Sequence, residues 1–272
     1  MKSFVTRCLS AIVAVAILIG LYYFLGNNGL KLFTVFGVFV GGFELMKLLF
    51  KPEDSKLNRT AFYVFLVTIF LLCSLFPHFS GAIFCLFSVF FCLISLVTHQ
   101  KFEDLETLTH FQAKGMMGFL YIGLLPSFPI LILDGPHGML WFLTLLLVVF
   151  AGDIGAYAAG VNFGKRKLMP IISPKKSVEG SIGGLISSAA MGFVMSYFLP
   201  HVPVIYLILL SIVTAIAGQL GDLFESQLKR VAGVKDSGHI MPGHGGVLDR
   251  IDGVLFACPV IYLGSILLET SI

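Results

Sequence analysis

Charge is scarce in this sequence: 12% of its 272 residues are Asp, Glu, Lys or Arg, while 57% are hydrophobic. Soluble domains carry about twice that charged fraction, so a water-exposed surface over most of the chain is excluded. Polar stretches long enough to fold around a core of their own are also missing; the longest are residues 161–179 and 222–253. Any chemistry is therefore expected at a membrane surface. The five cysteines (Cys8, Cys73, Cys85, Cys92, Cys258) are odd in number, lack C-x-x-C spacing and lie in or beside apolar runs. That excludes a disulfide framework and a cysteine zinc site, leaving packing as their expected role. Internal repeats are absent, which argues against the paired halves common in transporters.

What the chain has instead is long apolar runs. Crossing a hydrocarbon core of about 30 Å takes roughly 20 helical residues. Candidate spans lie near residues 9–25, 31–50, 60–77, 80–98, 113–133, 137–158, 180–200, 203–221 and 254–270. The expectation is an all-α, polytopic integral membrane protein with nine transmembrane helices. Lys2 and Arg7 precede a run followed by eight more, so it reads as a retained first helix. With Lys31, Lys47 and Lys114 assigned to the nearest span ends, all but one (Lys31) of the 18 Lys and Arg fall to odd-numbered extramembrane segments. The positive-inside bias then places the N-terminus in the cytoplasm and the C-terminus outside. Topology accounts for the net charge of +3, so no nucleic-acid partner is expected. Residues 1–112 form four spans whose many aromatics read as lipid-facing packing. Residues 113–272 hold the polar clusters and read as the catalytic half, with cytoplasmic loops 161–179 and 222–253.

Three polar clusters stand out. In AGDIGAYAAGVNFG (151–164), Gly152, Gly155, Ala156, Ala159 and Gly160 recur at three- and four-residue intervals, a face on which a second helix can approach closely. Asp153 lies beside that face, and an acid inside a span reads as part of a polar cavity. Residues 164–184 bring Lys165, Arg166, Lys167, Lys175 and Lys176, which either bind an anionic headgroup or only obey the positive-inside rule. Ser173-Pro174 breaks helix there, and Ser177 with Glu179 and Gly180 can begin the next one. A phosphate-loop reading of Gly160 to Arg166 fails on spacing and on the missing Ser or Thr.

The third cluster runs from GQLGDLFESQLKR (218–230) through KDSGHIMPGHGGVLDRID (235–252). Asp222 and Glu225 share a helix face, and Asp249 and Asp252 are again three apart. The glycines between Pro242 and Gly246 let backbone amides turn toward an anion. Paired acids with Lys229, Arg230, Lys235 and Arg250 interleaved suit a magnesium–polyphosphate complex, since Mg²⁺ takes carboxylates together with the phosphates it carries. A solvated mixed-charge loop is the plainer alternative. His244 either donates to a phosphate or shapes the turn.

At these residues the sequence resembles the phosphatidate cytidylyltransferases, also called CDP-diacylglycerol synthases. The signature reads Ser226-x-Leu228-Lys229-Arg230, four residues, Lys235-Asp236-x-Gly238, then Pro242-x-His244-Gly245-Gly246-Val247-x-Asp249-Arg250-Ile251-Asp252. Asp153, Ala156-Tyr157, Gly160, Ser173-Pro174-Lys175-Lys176 and Glu179-Gly180 also resemble family positions. Met241 and Val178 depart from the pattern, apolar for apolar. The resemblance implies a helical membrane enzyme, commonly a homodimer, in a bacterial inner membrane with its site open to the cytoplasm. It implies a divalent-metal site on Asp222 and Asp249, assisted by a monovalent cation such as K⁺. It implies CTP and phosphatidate as substrates, giving CDP-diacylglycerol and pyrophosphate. On that basis Asp222, Lys229, Asp249 and Asp252 are the expected catalytic residues, with Asp153 as a further Mg²⁺ ligand. Lys175, Lys176, Arg230, Lys235, His244, Gly245, Gly246 and Arg250 are expected to bind substrate. A CTP-dependent kinase or cytidylyltransferase acting on an isoprenoid lipid, and a transporter of a phosphorylated solute, are the competing readings.

Overall fold

The structure is a computed structural model and describes residues 13, 16–240 and 245–270. It is almost wholly helical: α1 (Ala16–Leu25), α2 (Asn27–Leu49), α3 (Lys56–Leu75), α4 (Ser80–Val97), α5 (Leu105–Gly118), α6 (Ser127–Asp134), α7 (Gly138–Phe163), α8 (Val178–Met195), α9 (Val204–Val231) and α10 (Leu248–Thr270). Eight helical stretches among the described residues are long and apolar enough to cross a membrane, with Leu105–Asp134 counted as one. They correspond to the second through ninth expected spans; the first falls partly outside the described residues. The chain divides into two compact units, residues 1–130 with 232–250, and residues 131–231 with 251–272.

In the first unit the aromatics correct the expectation of lipid-facing packing. Many are exposed, but Phe50, Phe62, Phe91, Phe111 and Phe119 are buried together. Phe62 stacks on Phe119 at 5.3 Å and Phe91 on Phe111 at 5.4 Å, while Phe50 meets Phe62 edge-on at 4.9 Å. Offset and edge-on aromatic pairs add to simple burial, so this cluster is the core of the unit. A Cβ at Gly118 would lie 2.6 Å from Phe62 Cζ, which is why the chain can pass so close to the ring. Asp104 caps α5, its Oδ1 accepting from Thr107 N at 2.7 Å, and that bond holds its carboxyl below the usual range.

In the second unit the small-residue face of α7 receives α8, as its spacing leads one to expect. A Cβ on Gly152 would sit 2.7 Å from Ser188 Oγ, and Ser188 donates to Val148 O at 2.8 Å. Ser177 caps α8, accepting from Gly180 N at 3.2 Å. Ahead of that cap the all-helical expectation fails locally: β1 (Lys167–Met169) and β2 (Ser173–Ser177) pair antiparallel. Glu179 braces this hairpin, accepting from Lys165 N at 3.0 Å and Arg166 N and Nε at 3.1 Å. The expected loop 222–253 is also shorter than its sequence implied, because α9 continues to Val231. Of the described cysteines, Cys73 and Cys258 are buried and Cys85 is exposed, so Cys85 does not pack inside the chain.

The seam makes a testable demand. Gly152→Val should destabilise the detergent-solubilised protein by about 1–3 kcal/mol through overpacking. Gly37→Ala, inside α2 where nothing lies within 4 Å of the added Cβ, should not lower the thermal midpoint.

Candidate functional site: an acid-and-lysine cavity and a carboxylate-anchored loop

The second unit contains a cavity of about 430 Å³ lined by α7, β2, α8 and α9. Asp153 and Tyr157 come from α7, Lys175 and Lys176 from β2, and Gln219 and Asp222 from α9. Each element delivers its residue for a local reason. The hairpin brings the lysine pair back over the start of α8, and the glycine seam lets α7 and α8 approach closely enough to wall the chamber. Lys176 Nζ is ion-paired to Asp222 Oδ2, and Ser226 Oγ donates to Asp222 Oδ1 at 3.4 Å. Asp222 thus already holds a cation with one oxygen.

Asp252 is carried next to this chamber by a close helix crossing. A Cβ on Gly221 would lie 3.0 Å from Phe256 Cβ, and Gly218 faces Gly253. Asp252 is within electrostatic reach of Asp222, Lys229 and Asp153, and its Oδ1 accepts from Gly253 N at 2.8 Å. Among the described residues these three acids do not close into one three-ligand cluster. Mg²⁺ usually takes one or two carboxylates and completes its shell with substrate phosphates and water. Asp222 with Asp252 or Asp153 therefore fits a metal shared with a polyphosphate.

Lys229 and Arg230 are the cations of the last turn of α9. The Lys229 ammonium pairs with Glu225, one turn back on α9, and Glu225 is fully buried. Arg230 is exposed, with Nε donating to Ile172 O of the hairpin turn at 3.3 Å.

The first unit holds the glycine-rich loop, organised by two carboxylates. Asp249 Oδ2 accepts from Gly246 N and Ser237 Oγ, both at 2.8 Å, and from Ser237 N at 2.9 Å. Glu44, buried within the apolar α2, accepts from Leu248 N at 2.9 Å and Val247 N at 3.2 Å. These are unpaired donors at the start of α10, where a negative charge is favoured. Gly246 has no room for a side chain, since a Cβ would lie 2.5 Å from Glu44 Oε2. Gly245 takes φ +85°, a left-handed conformation that glycine adopts without penalty. The described amides of the loop thus turn toward the protein's own carboxylates. Lys235 and Arg250 are exposed on the same segment; His244 lies outside the described residues.

The model of the Cytidylyltransferase family matches residues 5–267. The chain belongs to the cytidylyltransferase family. Among similar proteins, the phosphatidate cytidylyltransferase of Staphylococcus haemolyticus strain JCSC1435 is 46% identical over 147 residues, 54% of this chain and 56% of that protein. That of Bacillus subtilis strain 168 is 46% identical over 128 residues, 46% of this chain and 47% of that protein. The Staphylococcus aureus strain COL protein is 42% identical over 147 residues. The matched stretch spans about half the length of these curated relatives.

Within this chain, sequence reasoning missed Glu44 and Glu225. In the sequence Glu225 shows only that it shares a helix face with Asp222. Glu44 gave a usable signal, a lone carboxylate inside an apolar run, which by itself points to a partnered or functional group.

Proposed function

We propose that the protein transfers CMP from CTP to phosphatidate, yielding CDP-diacylglycerol and pyrophosphate. Family membership and the names of its relatives support this reading, and one observation carries it: Lys175, Lys176, Asp153 and Asp222 line a single cavity. A lipid phosphate oxygen would attack the α-phosphorus of CTP as the bond to the β-phosphate oxygen breaks, and the electron pair would leave with pyrophosphate. Two anions must meet, so neutralising and positioning them is most of the catalytic task. A phosphate monoester is already ionised near neutral pH, and no side-chain base is needed to create the nucleophile.

In this reading Asp222 and Asp252, with Asp153 beside them, would hold Mg²⁺, and Asp249 would set the glycine-rich loop. The ion, when bound, neutralises the nucleotide phosphates. Lys176, paired with Asp222 in this structure, would turn to a substrate phosphate, and Lys175 would receive the lipid headgroup. Arg230, Lys235 and Arg250 supply further positive charge, while Lys229 keeps buried Glu225 neutralised. The positive-inside pattern supports a site on the cytoplasmic side, and the bacterial relatives support an inner membrane as its location. A homodimer and a monovalent-cation requirement complete the proposal.

The test is incubation of the purified protein with labelled CTP, Mg²⁺ and either phosphatidate or an isoprenoid phosphate. Lipid-linked CMP formed with phosphatidate is expected. Product formed only with the isoprenoid, or lipid phosphorylation without CMP transfer, would replace this reading with the isoprenoid enzyme. The Lys175→Ala/Lys176→Ala variant should raise the KM for phosphatidate about tenfold or more, an effect of one to two lost charge-assisted contacts.

A further inference from the structure

At the other ends of the same helices the second unit brings together His137, His201 and Glu269. His137 precedes α7, His201 lies in the link between α8 and α9, and Glu269 closes α10. His137 Nδ1 lies 3.1 Å and His201 Nε2 3.0 Å from Glu269 Oε1, and one ligand atom from each residue falls within 4.8 Å of the other two. Among the described residues this is the one such trio. Trp141, the sole tryptophan of the chain, donates Nε1–H to the same Glu269 Oε1 at 2.8 Å and orients the carboxylate.

We infer that His137, His201 and Glu269 form a binding site for a zinc-class divalent metal ion. The donor set is two imidazoles and a carboxylate, with a fourth position left for water. In a tetrahedral site with bonds near 2.0–2.1 Å the ligand atoms stand about 3.4 Å apart, close to the 3.1 and 3.0 Å that separate the two imidazole nitrogens from Glu269 Oε1. Nitrogen donors favour zinc and its neighbours over Mg²⁺ or Ca²⁺, which prefer all-oxygen shells. Access is available: the His137 side chain is 51% exposed and that of His201 25%, whereas Glu269 is 12% exposed. Trp141 supplies the outer hydrogen bond that metal-ligating groups typically need. Among the described residues His137 is the one non-glycine with positive φ, at 47°, and this turns it toward the other two.

The site is separate from the proposed catalytic centre and does not depend on it. At 1.5 Å per residue, His137 is about 24 Å along α7 from Asp153, and Glu269 about 25 Å along α10 from Asp252. That is most of the thickness of a hydrocarbon core, so the ion would bind at the opposite membrane surface and pin three segments there.

The test uses the full-length protein in detergent with Co²⁺ alone as the probe, read by its visible d–d absorption, and then displacement by Zn²⁺. One Co²⁺ per chain with a tetrahedral spectrum is expected, lost in His137→Ala/His201→Ala and weakened at least tenfold in Glu269→Gln. Zn²⁺ should raise the thermal midpoint of the wild type and not that of the double variant, as binding to the folded state requires. Equal Co²⁺ binding by wild type and variants would overturn the assignment, as would no binding by the wild type, which would leave a hydrogen-bonded cluster only. Retained CMP transfer by the variants establishes that they are folded and keeps these outcomes distinct from failure of the catalytic proposal.

Discussion

Asp222→Asn should lower CMP transfer by about 10³-fold, the scale expected when a metal or its charge stabilisation is lost from a phosphoryl-transfer site, with little change in the thermal midpoint. The two halves of this expectation have different causes. Asp222 lines the cavity with Lys175 and Lys176 and is paired to Lys176, and under the proposed function it would be a Mg²⁺ ligand. Its side chain is 36% exposed, and an ion pair so open to solvent contributes little to folding. Steady-state rates with labelled CTP, beside a melting curve, check both halves. Wild-type turnover in this variant would remove Asp222 from the catalytic centre, and loss of folding would make its role structural.

Glu44→Ala should have the largest effect on stability, about 3 kcal/mol or more, because it strips the acceptor from two buried amides at the start of α10. Ser237 Oγ, 3.4 Å from Glu44 Oε2, would lose a neighbour too. Glu44→Gln is the informative companion. Val247 N and Leu248 N bond different oxygens of Glu44, and a glutamine offers only one oxygen, so one amide would face an NH₂ group instead. The expected order of midpoint is wild type, then Glu44→Gln, then Glu44→Ala, at about 2–4 °C per kcal/mol. Activity should fall in the same order, since Asp249 sits on the loop that Glu44 anchors. Unchanged midpoints in both variants would mean that the loop is held by Asp249 and its donors alone.

These two residues also mark where sequence reasoning succeeds and stops. Asp222 was accessible because its signal is local: acids and cations at helical spacing beside an apolar span. The α7 seam and the Ser177 cap were accessible for the same reason, since small-residue periodicity and a capping serine act within a turn or two. Glu44 meets Leu248 across 204 residues, and no spacing rule reaches that far. The His137–Glu269 contact spans 132 residues and the His201–Glu269 contact 68, which hid that trio as well. The hairpin escaped because β1 is three residues long, too short for an alternating pattern. The buried phenylalanines were misplaced because α3 is apolar nearly all round, and composition alone does not say which face meets protein.

Binding of nucleotide in the cavity between α7, β2, α8 and α9 is tested directly by peptide-resolved thiol alkylation. Ser181 lines that cavity, and Ser181→Cys, in a variant that still transfers CMP, should be alkylated at least several-fold more slowly when CTP and Mg²⁺ are present. An alkylation rate at Cys-substituted position 181 that ignores CTP and Mg²⁺ at saturating concentrations, in an enzyme that still turns over, would contradict the account.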